Sequence, residues 1–231
     1  MYGDNTSGND VKIATFRHLS NIRYYNKEET DTTTTTFTLT NKNMEWTAVG
    51  TGVYDFTTVK KGDTSIQLLK WTESSKSKPV DFPTIAELKE NYKLEGNGTQ
   101  TLISNLKLGQ DSIIAGAQNL GLFGEIKGTV AKIALKDATL ELEVGTDNAS
   151  YNSVQAVGIL AGRSEGILSD ITIRSTNTKS DTSKTKVDVT LTNETRAAIG
   201  GVVGGGYWGR SFLALRMAIW WLFRTEWLFE I

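Results

Sequence analysis

The 231-residue chain has no cysteine, one histidine and two prolines, and its 25 basic residues nearly balance its 26 acidic ones. The lack of cysteine excludes disulfides, thiolate nucleophiles and cysteine-based zinc or iron–sulfur sites. A single histidine excludes metal sites built on a histidine pair. The formal net charge of -1 argues against a nucleic-acid-binding surface, which needs concentrated positive charge. These absences favour a binding or structural module over an enzyme.

The first 93 residues give local signals for one helix and several strands. Thr15 is placed to cap a short helix whose apolar positions recur at three-residue steps, and the single His18 then lies on the helix surface. The threonine-rich segment 28–40 predicts a mostly exposed strand, because threonine is branched at its β-carbon. We interpret residues 1–93 as an N-terminal cap helix followed by an irregular β region.

A second helix signal stands near the end of this region. The sequence Thr84-Ile-Ala-Glu87 matches a capping box, in which a threonine and a glutamate three residues apart satisfy the free backbone groups of a helix start. It predicts a helical turn that runs through Leu88.

Glycines recur with regular spacing in the second half of the chain. Two copies of G-x3-G-x-[VL]-x2-I-x-[LI] begin at positions 38 residues apart, and the glycines suggest a third copy. An earlier partial copy carries only the apolar triplet Ile103, Leu106 and Leu108, which we align with the triplet that begins at Val130, 27 residues later. The repeat glycines are Gly121, Gly124 and Gly128, then Gly158, Gly162 and Gly166, then Gly201 and Gly205.

One such unit is too small to bury its apolar side alone. Stacking it on its neighbours pairs the strand edges and builds a continuous core, while glycine permits corner angles that other residues resist. We therefore predict an all-β fold, a right-handed parallel β-helix or related β-solenoid, with repeats over residues 94–206. An irregular β-sandwich is the competing fold, and it explains the repeat less well.

These repeats resemble a known motif. The segments Gly121-Leu-Phe-Gly124 and Val157-Gly-Ile-Leu-Ala-Gly162, each followed four residues later by another glycine, are similar to the GLUG motif of bacterial cell-surface repeat proteins. The stretch 94–106 resembles the lead-in to such repeats, and 16–22 the short helix that begins these regions. The resemblance implies an extracellular or cell-surface location and an adhesive or stalk-like role, and it supplies no catalytic residue or cofactor. GLUG repeats also flank the peptidase domain of IgA-cleaving metallopeptidases, but this chain has no H-E-x-x-H motif.

The composition changes after Gly206. Residues 207–231 hold four of the six tryptophans, mixed with Arg210, Arg216 and Arg224. Three interpretations stay open: a membrane-interfacial amphipathic helix, a cap over the end of the repeats, or an out-of-frame translation. A full membrane span is not expected, because the longest apolar stretch is interrupted by Arg216 and is shorter than about 20 residues.

Carboxylates supply the only candidate chemistry. Asp137, Glu141 and Glu143 lie in a strand-like stretch, where Glu141 and Glu143 share a face opposite Leu140 and Leu142. They could bind Ca²⁺ or act as acid and base on a glycan, but a solvated strand face is the simpler interpretation. A second group, Asp170, Arg174 and Asp188, could come together only if the register allowed it.

We accordingly expect a non-catalytic β-helical module of a bacterial surface or secreted protein, part of a longer chain, that acts in adhesion, display or spacing. Its expected partner is a host or glycan surface, contacted through the polar loops Gly145–Ser153 and Ser175–Lys186. We expect no nucleic acid, metal or cofactor, and membrane contact only through the tail. The alternatives are a carbohydrate-active β-helix enzyme and a membrane-associated assembly protein anchored by the tail.

Overall fold

The fold is described from a computed structural model, and the polypeptide is mainly β-strand. The model describes residues 5–7, 9–25, 32–46, 55–61, 64–70, 81–112, 118–144, 156–176, 186–191 and 198–206. The tail 207–231, loop 145–153 and most of loop 175–186 therefore lie outside the described residues. One short helix, α1 (Phe16–Ser20), and two 3-10 helices, Asn21–Tyr24 and Gln110–Ser112, accompany the strands.

The described strands, in chain order, are β1 (Asn5–Ser7), β2 (Asp10–Ile13), β3 (Thr35–Leu39), β4 (Asn43–Glu45), β5 (Asp55–Lys61), β6 (Thr64–Lys70), β7 (Ile85–Leu88), β8 (Tyr92–Glu95), β9 (Thr101–Ser104), β10 (Lys107–Gly109), β11 (Asn119–Leu120), β12 (Phe123–Ile126), β13 (Thr129–Lys136), β14 (Thr139–Val144), β15 (Ala156–Val157), β16 (Ala161–Ser164), β17 (Ile167–Arg174), β18 (Lys186–Leu191), β19 (Ala198–Ile199) and β20 (Val203–Gly206).

Four sheets consist of strands that pair in parallel with strands from distant parts of the sequence. Sheet 1 has eight strands, with β2, β3, β8, β13 and β17 as parallel neighbours and β9 and β4 continuing beside the second half of β13. Sheet 2 is β10-β14-β18, sheet 3 is β11-β15-β19, and sheet 4 is β7-β12-β16-β20. Two strand pairs are antiparallel. One is β1 with β2, at the edge of sheet 1, and the other is the separate hairpin β5-β6.

The chain visits the four sheets in a fixed order, three times in succession. Pass 1 runs through β8 to β12, pass 2 through β13 to β16, and pass 3 through β17 to β20. Each pass contributes to sheets 1, 2, 3 and 4 in turn, so the described part of the chain is an all-β structure of stacked parallel sheets. Sheet 1 also runs on through the expected boundary at residue 93, because β8 pairs with β3 on one side and β13 on the other.

The register follows the spacing of the repeats in two of the strand pairs. Phe123 of β12 pairs with Ala161 of β16, between passes 1 and 2, and Thr129 of β13 pairs with Ile167 of β17, between passes 2 and 3; both pairs are 38 residues apart, the spacing expected from the glycines. The partial copy in pass 1 is wrongly aligned, however. Ile103 pairs with Leu135 rather than Val130, because pass 1 inserts residues 96–100 between β8 and β9 where β13 runs on uninterrupted.

The N-terminal helix is confirmed. Thr15 has extended backbone angles and its hydroxyl oxygen accepts a hydrogen bond from the His18 backbone N–H at 3.2 Å, which caps α1. Leu19 and Ile22 are buried in the common core, and the Arg23 guanidinium donates to the Pro83 carbonyl oxygen at 2.9 Å. The 3-10 helix that follows α1 packs against β7, the first strand of sheet 4.

The second predicted helix is wrong. Residues 85–88 form β7, in which Ile85 and Leu88 are fully buried and lie beside Phe123 and Ile126 of β12. The Thr84 hydroxyl donates to the Gly121 carbonyl oxygen at 2.9 Å instead of capping a helix. Pairing with the next pass outweighs the weak local preference that the capping box expresses.

The threonine-rich strand is half buried rather than mostly exposed. In β3, Thr35, Phe37 and Leu39 have no exposed surface, while Thr36 and Thr38 alternate with them on the outer face. The Phe37 ring packs edge-on against Tyr25 and Tyr92, at centroid distances of 5.1 and 5.4 Å. The strand is buried on one face because the side chains of that face pack into the common core.

Polar residues, not the repeat glycines, form the left-handed corners. Asn105 and Asp137 have φ of 58° and 53°. They lie side by side in adjacent passes, because Ser104 and Lys136, the residues just before them, pair in register. Lys132 and Asp170, with φ of 58° and 53°, stack in the same way inside β13 and β17. Among the described glycines only Gly98 has a positive φ, so conformational freedom is not why the repeat contains glycine.

Candidate functional site

The repeat glycines lie where successive passes approach most closely. A Cβ atom on Gly128 would lie 2.1 Å from the Tyr92 carbonyl oxygen, and one on Gly166 would lie 2.0 Å from the Gly128 carbonyl oxygen. Gly124 and Gly162 take equivalent positions in β12 and β16, as Gly121 and Gly158 do after β11 and β15. All six positions face backbone atoms of the adjacent pass at distances that exclude a side chain.

The third glycine copy is displaced by one residue from the expected one. Because Ala161 pairs with Val203, Gly162 lies opposite Gly204, not Gly205. Gly200 in turn, not Gly201, follows the pair Val157–Ile199 as Gly158 does. The contacts agree, since a Cβ atom on Gly201 would meet nothing within 4 Å.

The carboxylates of β14 lie on the outer face of sheet 2. Glu141 and Glu143 are exposed, while Leu140 and Leu142 on the opposite face are buried, as the alternation predicted. Glu141 pairs in register with Asp188 of β18, and Glu143 pairs with Thr190. The outer face of sheet 2 therefore brings Glu141 next to Asp188, a neighbour that the sequence alone did not indicate.

Asp137 has a structural role at its corner. Its carboxylate accepts hydrogen bonds from the backbone N–H of Thr176 at 2.7 Å and from the Thr176 hydroxyl at 2.9 Å. These bonds tie the corner after β13 to the residues that follow β17 in the next pass. Asp137 thus joins two passes.

The second candidate group is not brought together. Asp170 and Arg174 both lie in β17 of sheet 1, where Arg174 pairs with Lys136, whereas Asp188 lies in sheet 2. The side chain of Gln100 bridges toward this part of β17: its amide nitrogen donates to the Asp170 carbonyl oxygen and the Thr172 hydroxyl, both at 2.9 Å. The Gln100 side chain therefore links pass 1 to pass 3.

Ion pairs on the outer face of sheet 4 connect its strands. Lys127 lies 3.0 Å from Glu87 of β7 and 3.5 Å from Glu125 of β12, measured from its ammonium nitrogen to the nearest carboxylate oxygen. Arg163 of β16 reaches both Glu125 and Glu165. The hydrogen bond to Glu87, with the charges of Glu87 and Glu125, raises the pKa of Lys127 above its usual value. Lys127 thereby offsets the repulsion between two glutamates that the register places side by side.

A similar group lies on the outer face of sheet 1. Glu95 is held between Lys132 at 2.6 Å and Lys93 at 2.7 Å. Hydrogen bonds from Lys132 and then Lys93 lower the pKa of Glu95 below its ordinary value. At the outermost parallel strand, Lys12 and the Thr38 hydroxyl both bind the Asp10 carboxylate, and the hydrogen bond from Lys12 is the main cause of its lowered pKa.

Sequence reasoning missed these ion pairs, although a signal was present. Oppositely charged residues stand two apart, and so on one face, in four strands or just beyond them. These pairs are Asp10 and Lys12, Lys93 and Glu95, Glu125 and Lys127, and Arg163 and Glu165.

The arrangement on these faces holds strands together and distributes charge of both signs. Within the described ranges, no group of three or more histidine or acidic side chains is placed to hold a metal ion. His18 is half-buried on α1, and its Nδ1 lies 3.4 Å from the Ala14 backbone nitrogen. The part of the chain that the structure describes contains no helix of the length and apolar character needed to cross a bilayer.

Comparison of the chain with family models, with curated proteins and with solved structures finds no match. The case for a function therefore depends on the repeat, its register and the surfaces that the stacked passes present.

Proposed function

We propose that this chain is a right-handed parallel β-helix, and that it serves as a non-catalytic module of a bacterial surface or secreted protein. It is part of a longer chain, related to the GLUG-repeat proteins, and acts by spacing and display. The observation that carries the proposal is the repeated order of sheets 1 to 4 over three passes, with the 38-residue spacing of the repeat kept in the pairs β12–β16 and β13–β17. A stack of this kind lengthens by adding passes and keeps its cross-section, which suits a stalk or spacer.

The outer faces support display rather than chemistry. Glu95, Glu125 and Asp137 each have partners across strands or passes, so these carboxylates are used in holding the stack. The two polar loops lie where the chain leaves one sheet for the next. Loop 145–153 follows β14, and loop 175–186 separates β17 from β18. Insertions at such positions change the surface of a solenoid without changing its core.

Surface location is tested on intact cells of the source organism. Antibodies against the full chain should label whole cells, and added protease should remove the signal while a cytoplasmic marker survives. Labelling that requires cell lysis would overturn the proposed location.

Ligand display is tested by applying the full chain to an array of host and bacterial glycans. We expect alanine at Asn148 and Tyr151, in loop 145–153, to abolish binding. The control variants Glu141→Gln and Glu143→Gln, on the neighbouring strand face, should leave binding unchanged.

The same control variants test the alternative function. Glu141 lies beside Asp188 on an exposed face, which is the observation that favours an acid–base role on a glycan. Depolymerisation of an acidic polysaccharide by the full chain, lost in Glu141→Gln, would replace the display function with an enzymatic one.

A further inference from the structure

Within the described residues, the core is less well covered in pass 3 than in pass 2. Val130, Leu135, Leu140 and Val157 of pass 2 have no exposed surface. Their counterparts in pass 3 are Leu168, Ile173 and Val187, which are only partly buried, and Ile199, which is 45% exposed. We call this surface, formed by β17 to β20, the open end.

The described strands at the open end are also paired on one side only. Among the described strands, each of β17, β18, β19 and β20 has a neighbour on one side only. β17 is eight residues long, and its first residue, Ile167, is 63% exposed. A long edge beside apolar side chains is a template for another segment, and proteins normally cover it.

We propose that residues 207–231 of the same chain cover the open end. The chain leaves the stack at Gly206, the last residue of β20, so this segment begins on the surface that needs covering. It contains four tryptophans and a run of aliphatic residues, which match an apolar surface. The inference depends on the open end alone and not on the proposed function.

Length and tethering favour this segment over a second copy. Its 25 residues span about 37 Å even as a helix, whereas the eight residues of β17 extend about 26 Å. A segment joined directly to its binding surface has an effective concentration of about 1 mM, far above that of a second molecule in dilute solution.

Disulfide trapping tests the proposal cleanly, because the chain has no cysteine of its own. In the full chain, Ile199→Cys is combined in turn with cysteine at Phe212, Leu215 and Trp221, and each variant is oxidised at low protein concentration. At least one pair should form a disulfide within one molecule, seen as a faster monomer band on a non-reducing gel. The matched control places the open-end cysteine instead at exposed Arg17, on α1, where no disulfide should form.

Two outcomes would overturn the proposal. Disulfides that join two molecules would assign the open end to a second copy. Equal trapping at Ile199 and Arg17, or none at either, would show that the segment does not rest on this surface.

A second measurement guards against variants that fold poorly. Trypsin cuts after Arg210, Arg216 and Arg224 only when the segment is accessible. Because each lysine would remove the apolar contact that the isoleucine would make with residues 207–231, Ile167→Lys and Ile199→Lys should each raise the rate of these cuts about tenfold. Arg17→Lys, at the other end, should leave the rate unchanged. Rates that do not differ between the wild-type chain and the two open-end variants would contradict the inference.

Discussion

The two ends of the stack differ in how their edges are covered. At the first end, β1 pairs antiparallel with β2, and the 3-10 helix after α1 packs on β7. Three rings, Phe16, Trp46 and Phe82, close this end in edge-to-face contacts at 5.1 to 5.8 Å. At the other end, β17 to β20 each pair with one described strand only, and Ile167 and Ile199 are exposed. A repeat defines the interior of such a fold, and its ends need segments that do not follow the repeat.

The largest effect is expected at the closed end. Phe37→Ala should lower the free energy of unfolding by about 4 kcal/mol, because it removes a fully buried ring from contact with Tyr25 and Tyr92. Chemical denaturation of the full chain measures the loss. Thr36→Ala, on the outer face of the same strand, is the control and should cost less than about 0.5 kcal/mol. Similar losses for both variants would show that this end does not hold the fold together.

The second effect separates the interior from the open end. Gly128→Ala should cost about 3 kcal/mol, because its Cβ atom would meet the Tyr92 carbonyl oxygen and force two passes apart. Gly201→Ala, where the same atom meets nothing, should change stability by less than about 0.5 kcal/mol. Chemical denaturation of both variants provides the test. The denaturant concentrations at their unfolding midpoints are compared, provided that the free energy of unfolding depends equally steeply on denaturant in both. An unstable Gly201→Ala variant would mean that the displaced register of the third copy is wrong.

The third effect concerns the helix at the closed end. Thr15→Ala removes the acceptor for the His18 backbone N–H and should cost about 1 kcal/mol. Thr15→Ser keeps an acceptor and should restore most of the loss. Thermal unfolding of the three proteins measures the difference. A Thr15→Ser variant that is as unstable as Thr15→Ala would argue against the cap.

The smallest effect is a dependence on pH. The pKa of Glu95 is lowered from its ordinary 4.5 by hydrogen bonds from Lys132 and Lys93, so the folded state favours the ionised form. Its stabilising contribution is therefore present above pH 4.5 and is lost as the pH falls through the lowered pKa.

Glu95→Gln should remove about 0.5 kcal/mol at neutral pH, a modest amount because the pair is partly exposed. It should also flatten the acid side of the stability profile. The double variant Glu95→Gln/Lys132→Gln should be only slightly less stable than Glu95→Gln alone. If the losses of stability in the two single variants add up in the double variant, the two side chains do not interact.

Local chemistry allowed some of this architecture to be predicted. The helix at Phe16–Ser20 follows from Thr15 and from apolar spacing within a few residues, and the pairing of β12 with β16 and of β13 with β17 follows from glycines that recur at 38 residues. The failures involve partners far along the chain. Residues 85–88 carry a helix-start signal and form a strand because β12 pairs with them.

The third copy shows a different limit. Five glycines between residues 200 and 206 allow several alignments of nearly equal quality, and the pairing of Ala161 with Val203 selects one. The candidate site depended on register in the same way. Glu141 and Asp188 become neighbours, and Asp170 and Asp188 do not, only once the offset between strands is known.

The parallel stacking also determines how the molecule responds to force. Backbone hydrogen bonds between passes run along the direction in which passes are added, so tension applied at the two chain ends loads them one pass at a time. Among the described strands, those of pass 3 each have a neighbour on one side only, whereas β2 is held by β1 and β3. A pulled molecule should therefore peel from β20 backwards in steps of roughly one repeat, and the aromatic end near Trp46 should yield last.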